Sequence, residues 1–227
     1  MNRGANLEYD SDEEIAAAIV AVAKRLVKEG HIVGSAGNVS HRGTDPDTML
    51  ITPSSVDYEE MEPADVVLVD VKSCKVVRGS RNPSVEKHLH AGVYAARENV
   101  DAILHTHGFY STALGVLRWE LPPIVEEFVP YIGSKVKVAE YGMAGTEELA
   151  EAAVKALGRR NAVIVANHGN VCVGRSFRKA LRVLYLVERT AKMYLLLRGM
   201  GLADQIHPLP EETIDYEKDV FDIMSEE

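Results

Sequence analysis

Two histidines separated by one residue end an apolar segment of this 227-residue chain, and a third lies in a turn further on. His105 and His107 can reach one point in space, because residues two apart on a strand project to the same face. His168 lies in the turn 167–170 between two apolar segments, a rigid and accessible place where functional side chains gather. Three histidines with an open fourth position are typical of catalytic zinc sites.

The same spacings also have an explanation that involves no metal. A His-x-His pair is common on a solvated strand face, and Glu86 with His90, four apart on one helix face, is most often a surface pair. A closed structural zinc site is excluded, because the only cysteines are Cys74 and Cys172 and they do not form a CxxC motif. His168 is what makes an open, histidine-rich metal site the favoured interpretation.

Alternating helices and short strands are predicted to position these residues. Ser11 and Glu14 form a capping box that begins a helix ending near Gly30. Further helices are predicted at 84–97, 146–158 and 176–198, and strands at 49–52, 66–70, 101–106, 162–166 and 171–173. This alternation predicts a layered α/β (α+β) fold.

Composition limits the class of protein. With 46% hydrophobic and 26% charged residues, the chain is predicted to form one domain over 1–227, with a core at about 12–198 and a polar, irregular tail at 199–227. A net charge of -9 argues against nucleic acid and anionic membrane as partners. No signal-peptide pattern and no apolar run of about 18 residues is found, so we expect a cytoplasmic protein.

Five separated motifs in this order resemble the class II aldolase/adducin family, and within it the fuculose-1-phosphate aldolases. The motifs are Gly37-Asn38-Val39-Ser40, Ile51-Thr52-Pro53-Ser54, Glu86-x-x-x-His90, His105-x-His107 and His168-Gly169. The resemblance covers about residues 12–198. It implies a three-layer sandwich, with a central, mostly antiparallel sheet between helices.

The resemblance also implies an activity. The enzyme would cleave a ketose 1-phosphate to dihydroxyacetone phosphate and an aldehyde through a metal-stabilised enediolate. One Zn²⁺ per subunit would be held by Glu86, His105, His107 and His168, and Glu86 would act as the base once it leaves the metal. Family members form homotetramers with sites near subunit interfaces, so a homotetramer is expected.

A phosphate pocket is the second site that the resemblance implies. Its residues would be Gly37, Asn38, Ser54, Ser55 and Ser84. Small residues let backbone N–H groups approach an anion, and Ser84 stands at a predicted helix start, where the helix dipole favours negative charge. The same residues are also ordinary turn and cap formers.

Two departures from the family pattern leave the exact reaction open. Val85 stands where many relatives have a second serine, and the stretch 123–128 has glutamate where an acid tyrosine is expected. The candidates for the acid are Glu126, Glu127, Tyr131 and Tyr216. The alternatives to an aldolase are a 4-epimerase, a methylthioribulose-1-phosphate dehydratase, a decarboxylase or a non-catalytic adducin-like interaction domain. Three histidines and a carboxylate suit several divalent ions besides zinc.

Overall fold

One eight-stranded sheet forms the centre of the protein in the computed structural model, which describes residues 9–226. The strands are β1 (Gly37–Arg42), β2 (Thr48–Ile51), β3 (Val67–Asp70), β4 (Val76–Arg78), β5 (Ala102–Thr106), β6 (Val138–Ala139), β7 (Ala162–Val165) and β8 (Gly169–Gly174). Their order is β4-β3-β2-β1-β5-β8-β7-β6. Every neighbouring pair is antiparallel except β6 and β7. The predicted mostly antiparallel sheet is therefore confirmed.

Helices cover both faces of this sheet. They are α1 (Asp12–Lys28), α2 (Lys87–Ala96), α3 (Phe109–Leu117), α4 (Phe128–Ile132), α5 (Glu147–Leu157), α6 (Phe177–Gly199) and α7 (Glu211–Glu226). The Ser11 hydroxyl accepts a hydrogen bond from the Glu14 N–H, which confirms the predicted cap of α1. None of the helices in the described residues is long and apolar enough to cross a bilayer.

Strand alternation divides the core into two apolar layers. Leu104 faces the layer that contains α1, α3, α4 and α6, whereas its neighbour Ile103 faces the layer that contains α2 and α5. Both side chains are fully buried. The three-layer arrangement implied by the motifs is therefore confirmed, and the central strands β1, β5 and β8 are held rigidly between two packed layers.

The predicted irregular tail is wrong, because α7 occupies 16 residues of it. Phe221 is buried and lies against Gly133, where an added Cβ would approach the Phe221 ring to 2.8 Å. Ile214, Glu217 and Phe221 recur at helical spacing, but Pro208, Pro210 and the many acidic residues obscure that pattern. Docking against α4 is what makes this helix stable.

The predicted start of α2 at Ser84 is also wrong. The helix begins at Lys87 with Glu86 at its N-cap, and Ser84 lies in a preceding turn, where its hydroxyl accepts from the Glu86 N–H at 3.2 Å. Prolines constrain this turn, since Pro53 and Pro83 pair in an isolated bridge. Glu86 consequently lies at the N-terminus of α2, facing the sheet.

Candidate active site

His105 and His168 meet because β5 and β8 are neighbours in the sheet. His105 lies near the end of β5 opposite Val171 of β8, and His168 lies in the turn that precedes β8. Asn167 in that turn has φ +56°, a left-handed conformation that asparagine tolerates. Gly169 follows, where a Cβ would lie 2.2 Å from the Thr106 carbonyl oxygen, so only glycine lets the turn approach β5 this closely.

The three imidazoles and the Glu86 carboxylate converge on one point. The ring centroids of the three histidines are 4.8–5.2 Å apart in each pair. Glu86 Oε2 lies 3.1 Å from His105 Nε2, and Glu86 Oε1 lies 3.3 Å from His168 Nε2. One ligand atom from each of the four residues falls within 4.8 Å of the others. The sequence-predicted ligand residues are thus brought together by the fold.

These four residues fit a metal ion. His105 Nε2 and Glu86 Oε1 are buried and have no hydrogen-bond partner among the described residues, which is costly unless another group satisfies them. The other ring nitrogen of His105, Nδ1, donates to the Asn170 carbonyl oxygen at 2.8 Å. That bond leaves the lone pair of Nε2 directed at the point of convergence, as in many metal-binding histidines.

Electrostatics favour the protonation states that a metal requires. Burial opposes the charge on Glu86, but His105, His168 and the Asn38 amide hold the pKa of this carboxyl well below its usual range. Burial, together with the charges of His105 and His168, lowers the pKa of His107 to about 4. The pKa of His168 is lowered by burial and by His105. A carboxylate and two neutral imidazoles are therefore available at neutral pH. Burial opposes the charge on His105, but Glu86 raises the pKa of this imidazole, so a metal ion would displace its proton on binding.

A buried carboxylate secures the chain just after His107. Glu188 of α6 accepts hydrogen bonds from the backbone N–H groups of Tyr110 and Ser111 at 3.1 and 3.0 Å, at the N-terminus of α3. Gly108 makes room for this carboxylate, since a Cβ there would lie 2.4 Å from it. Negative charge at a helix N-terminus is stabilising, so Glu188 holds the turn that carries His107.

The five residues predicted to bind phosphate lie on two paired loops and at the start of β1, and two of them, Asn38 and Ser84, bond to Glu86. The Ser54 N–H donates to the Asn82 carbonyl and the Ser84 N–H donates to the Thr52 carbonyl, which brings the two loops together. The Ser54 and Ser55 hydroxyl oxygens are 3.4 Å apart. Gly37 has φ +120°, and a Cβ there would lie 2.6 Å from the His105 carbonyl oxygen.

The Asn38 side chain, predicted to contact phosphate, is hydrogen-bonded to Glu86 and His90. Its Nδ2 donates to Glu86 Oε2 at 2.8 Å, and its Oδ1 lies 2.5 Å from His90 Nε2. His90 is fully buried and contacts Ser40 on its other nitrogen. The interpretation of Glu86 and His90 as a surface helix pair is therefore wrong.

The candidates for the acid residue lie elsewhere. Glu127 pairs with Arg189 of α6, and the Tyr131 hydroxyl accepts from Arg182 at 2.6 Å. Tyr216 on α7 is exposed, and Glu126 is close enough to Glu217 of α7 to raise the pKa of that carboxyl. Within residues 9–226, none of their hydrogen bonds or ion pairs reaches the four converging residues.

Four residues next to the site were missed by sequence reasoning. They are Ser40, Tyr94, Asn170 and Glu188. Spacing could have revealed two of them, because Tyr94 is four residues after His90 on the same helix face and Ser40 is two after Asn38 on the same strand face. Asn170 and Glu188 carry no such local signal.

The class of protein follows from this fold and site together with its relatives. Residues 17–195 match the class II aldolase and adducin N-terminal domain family. The chain belongs to this family. It is an enzyme of the aldolase type, a carbon–carbon lyase, and the alternative of a non-catalytic adducin-like domain is set aside.

Among its relatives, the 5-deoxy-D-ribulose 1-phosphate aldolase of Bacillus thuringiensis is 33% identical over 87% of this chain and 90% of its own length. The L-fuculose phosphate aldolase of Escherichia coli is 31% identical over 88% of this chain and 91% of its own. A solved L-fuculose 1-phosphate aldolase has a TM-score of 0.86 at 34% identity, covering 92% of this chain and 96% of its own.

Proposed function

We propose that this enzyme cleaves a ketose 1-phosphate with a methyl-terminated chain, such as L-fuculose 1-phosphate or 5-deoxyribulose 1-phosphate, to dihydroxyacetone phosphate and an aldehyde. The convergence of Glu86, His105, His107 and His168 carries this proposal. Two relatives that span most of the chain are named for these two substrates. Both substrates end in a methyl group, so the aldehyde product would be small and partly apolar.

Zn²⁺ is the metal we assign to the four residues, because three imidazoles and a carboxylate with no thiolate form a catalytic zinc set. A divalent ion there supplies Lewis acidity for the negative charge that develops on the substrate oxygens. Inductively coupled plasma mass spectrometry of the protein as purified is expected to find one zinc per chain. Fully active protein that contains mostly another divalent metal would contradict the assignment of zinc.

Glu86 is the group we assign to proton transfer. Cleavage of the C3–C4 bond leaves an electron pair on C3, and the proton of the C4 hydroxyl is lost as the aldehyde forms. Glu86 is a carboxylate at rest, so it would first take up the C4 hydroxyl proton, directly or by way of the acid on the aldehyde side. It would then deliver that proton to C3 from Oε1, while Oε2 stays bonded to Asn38. In the reverse reaction Oε1 would remove the same proton.

Phosphate binding is assigned to the region formed by Gly37, Asn38, Ser54, Ser55 and Ser84. Hydroxyl groups on turns suit an anion. Ser54 and Ser84 lie on loops that pair with each other, and the Ser84 hydroxyl accepts from the Glu86 N–H, which leaves its own proton free to donate. The acid that serves the aldehyde side would come from Glu126, Glu127, Tyr131 or Tyr216. Because none of these contacts the four converging residues of its own chain, a neighbouring subunit of a homotetramer would supply it.

A substrate panel tests the reaction. The zinc-loaded enzyme is incubated with L-fuculose 1-phosphate, 5-deoxy-D-ribulose 1-phosphate, L-ribulose 5-phosphate and methylthioribulose 1-phosphate, and dihydroxyacetone phosphate is measured with glycerol-3-phosphate dehydrogenase and NADH. We expect its release from the two deoxyketose 1-phosphates. Conversion of a substrate without its release, by epimerisation or dehydration, would contradict the proposal. Light scattering is expected to give a mass near four chains.

A further inference from the structure

We propose that a buried hydrogen-bond chain with a single direction, running from Tyr94 through Ser40 and His90 to Asn38, positions the Glu86 carboxylate. His90 is the positioning residue at its centre. The inference rests on the proposed function only in giving Glu86 a part in catalysis. The placement of Glu86 can be measured without any substrate.

The contacts of this hydrogen-bond chain are short and buried. Tyr94 Oη lies 2.8 Å from Ser40 Oγ, and Ser40 Oγ lies 2.6 Å from His90 Nδ1. His90 Nε2 is 2.5 Å from Asn38 Oδ1, and Asn38 Nδ2 is 2.8 Å from Glu86 Oε2. All five residues are at most 5% exposed. In such surroundings each polar group must be paired, so each link constrains the next.

The direction of the chain follows from the chemistry of its last member. A carboxylate oxygen only accepts, so Asn38 must turn its NH₂ group towards Glu86 and its carbonyl oxygen towards His90. His90 Nε2 must then carry the proton. Burial keeps His90 neutral by lowering its pKa to about 3, and a neutral imidazole has one N–H, so Nδ1 is an acceptor. Ser40 therefore donates to His90.

Tyr94 completes the chain by donating to Ser40, whose only proton is already used. The Tyr94 hydroxyl also lies 3.2 Å from the Asp101 carbonyl oxygen, a longer and weaker contact. Every O–H and N–H thus points along the chain towards Glu86. An amide group has nearly the same shape in both orientations, so His90, by donating to Asn38 Oδ1, reinforces the orientation that the carboxylate requires and holds the Asn38 amide in place.

Two regular elements build this arrangement. Glu86, His90 and Tyr94 follow at intervals of four residues along one face of α2, from its N-cap to its last turn. Asn38 and Ser40 are two apart on one face of β1. Asn38 stands opposite His105 in the β1–β5 register. The chain therefore holds the carboxylate next to the histidines from the side opposite His168. A purely structural role would stabilise the fold without affecting how Glu86 meets a metal.

Cobalt-substituted protein tests the proposal without substrate, because the visible absorption of Co²⁺ changes with its ligands. Glu86→Gln supplies the reference spectrum of a site that lacks the carboxylate. His90→Leu, which has no donor for Asn38, is expected to shift the spectrum towards that reference. His90→Gln, which places an N–H near the position of Nε2, is expected to keep a spectrum close to that of the wild type.

Turnover gives the second readout. With the zinc enzyme and its best ketose phosphate, kcat of His90→Leu is expected to fall about 10–100-fold, with KM changed less than about threefold. His90→Gln should recover most of this loss. A wild-type spectrum and kcat in His90→Leu, or equal losses in the two variants, would overturn the proposal. If the enzyme turned over no substrate of the panel but the cobalt spectra shifted as expected, only the proposed function would be rejected.

Tyr94→Phe keeps the test decisive if the His90 variants do not fold, because it removes one hydroxyl and leaves the ring in place. We expect a kcat lower by about two- to tenfold, since the distal end of the chain is two links from Asn38. Thr190→Val is the matched control, because its buried hydroxyl has no hydrogen-bond partner among the described residues. Identical kcat and cobalt spectra for Tyr94→Phe and this control would refute the chain.

Discussion

Replacing Glu86 by glutamine separates metal binding from proton transfer. The amide has the shape of the carboxylate but no basic oxygen, and the three histidines, 4.8–5.2 Å apart between ring centroids, remain in place. Asn38 Nδ2 can still donate to the glutamine oxygen, as it does to Oε2 at 2.8 Å in the wild type. We therefore expect the variant to fold and to keep most of its metal.

The expected loss of activity follows from the position of Oε1, which makes no hydrogen bond within the described part of the chain and lies 3.3 Å from His168 Nε2 at the point of convergence. The imidazoles beside it would be occupied by the metal and unable to take over its proton, so the full contribution of general acid–base catalysis should be lost. That contribution is about 10²–10⁴-fold in kcat, or about 3–5.5 kcal/mol of transition-state stabilisation. Since binding contacts are unchanged, KM should change little.

Exchange of the C3 proton of dihydroxyacetone phosphate with deuterium, followed by NMR, is the assay, because it isolates the proposed proton step from aldehyde chemistry. Metal content is measured on the same samples. Glu59→Gln, an exposed residue, is the matched control and should exchange at the wild-type rate. Wild-type exchange in metal-loaded Glu86→Gln would remove Glu86 from the role of base.

Three further predictions address the metal, the phosphate and α7. His105→Ala should lose most bound zinc and all turnover, since this imidazole is buried at the centre of the site. A His105→Ala/His107→Ala double variant that still binds one equivalent of zinc and is fully active would contradict the ligand assignment. Ser84→Ala should raise KM about tenfold, the value of one hydrogen bond to a charged group, and inorganic phosphate should compete with substrate; equal turnover of the unphosphorylated sugar would contradict the pocket. Glu217→Gln should raise Tm at pH 8, because burial and Glu126 raise the pKa of the Glu217 carboxyl. A raised pKa means that the protonated Glu217 carboxyl stabilises the fold below the unfolded-state pKa and that this stabilisation is lost as pH rises through the folded-state pKa. The gain in Tm from Glu217→Gln should therefore vanish near pH 4, and a gain in Tm independent of pH would refute this reasoning.

Periodicity by itself predicted much of the scaffold. The capping box at Ser11 and the apolar periodicity that predicts a helix at 176–198 place α1 and α6 within one residue of their observed starts. His105 and His107 share a face because a strand has a period of two, whatever it packs against. These features depend on neighbours within about four residues, which is why they could be read from the chain alone.

Helix α7 shows where local reasoning fails. Its apolar residues are few and its first turn follows two prolines, so intrinsic propensity gives a weak signal. The helix is stabilised by burying Phe221 against Gly133, a contact between residues 88 positions apart in sequence. Tertiary packing of this kind regularly overrides propensity.

The chemistry of the site divides in the same way. Residue types and the order of the motifs were enough to identify the family and to select Glu86 and the three histidines as candidates. Only the β5–β8 register and the closeness that Gly169 permits bring His168 to His105. The sequence likewise contains His90 and Asn38 but not the direction of the bond between them. That direction is determined by donors and acceptors that meet only when α2 packs against β1, because hydrogen-bond geometry depends on distance in space and not on separation along the chain.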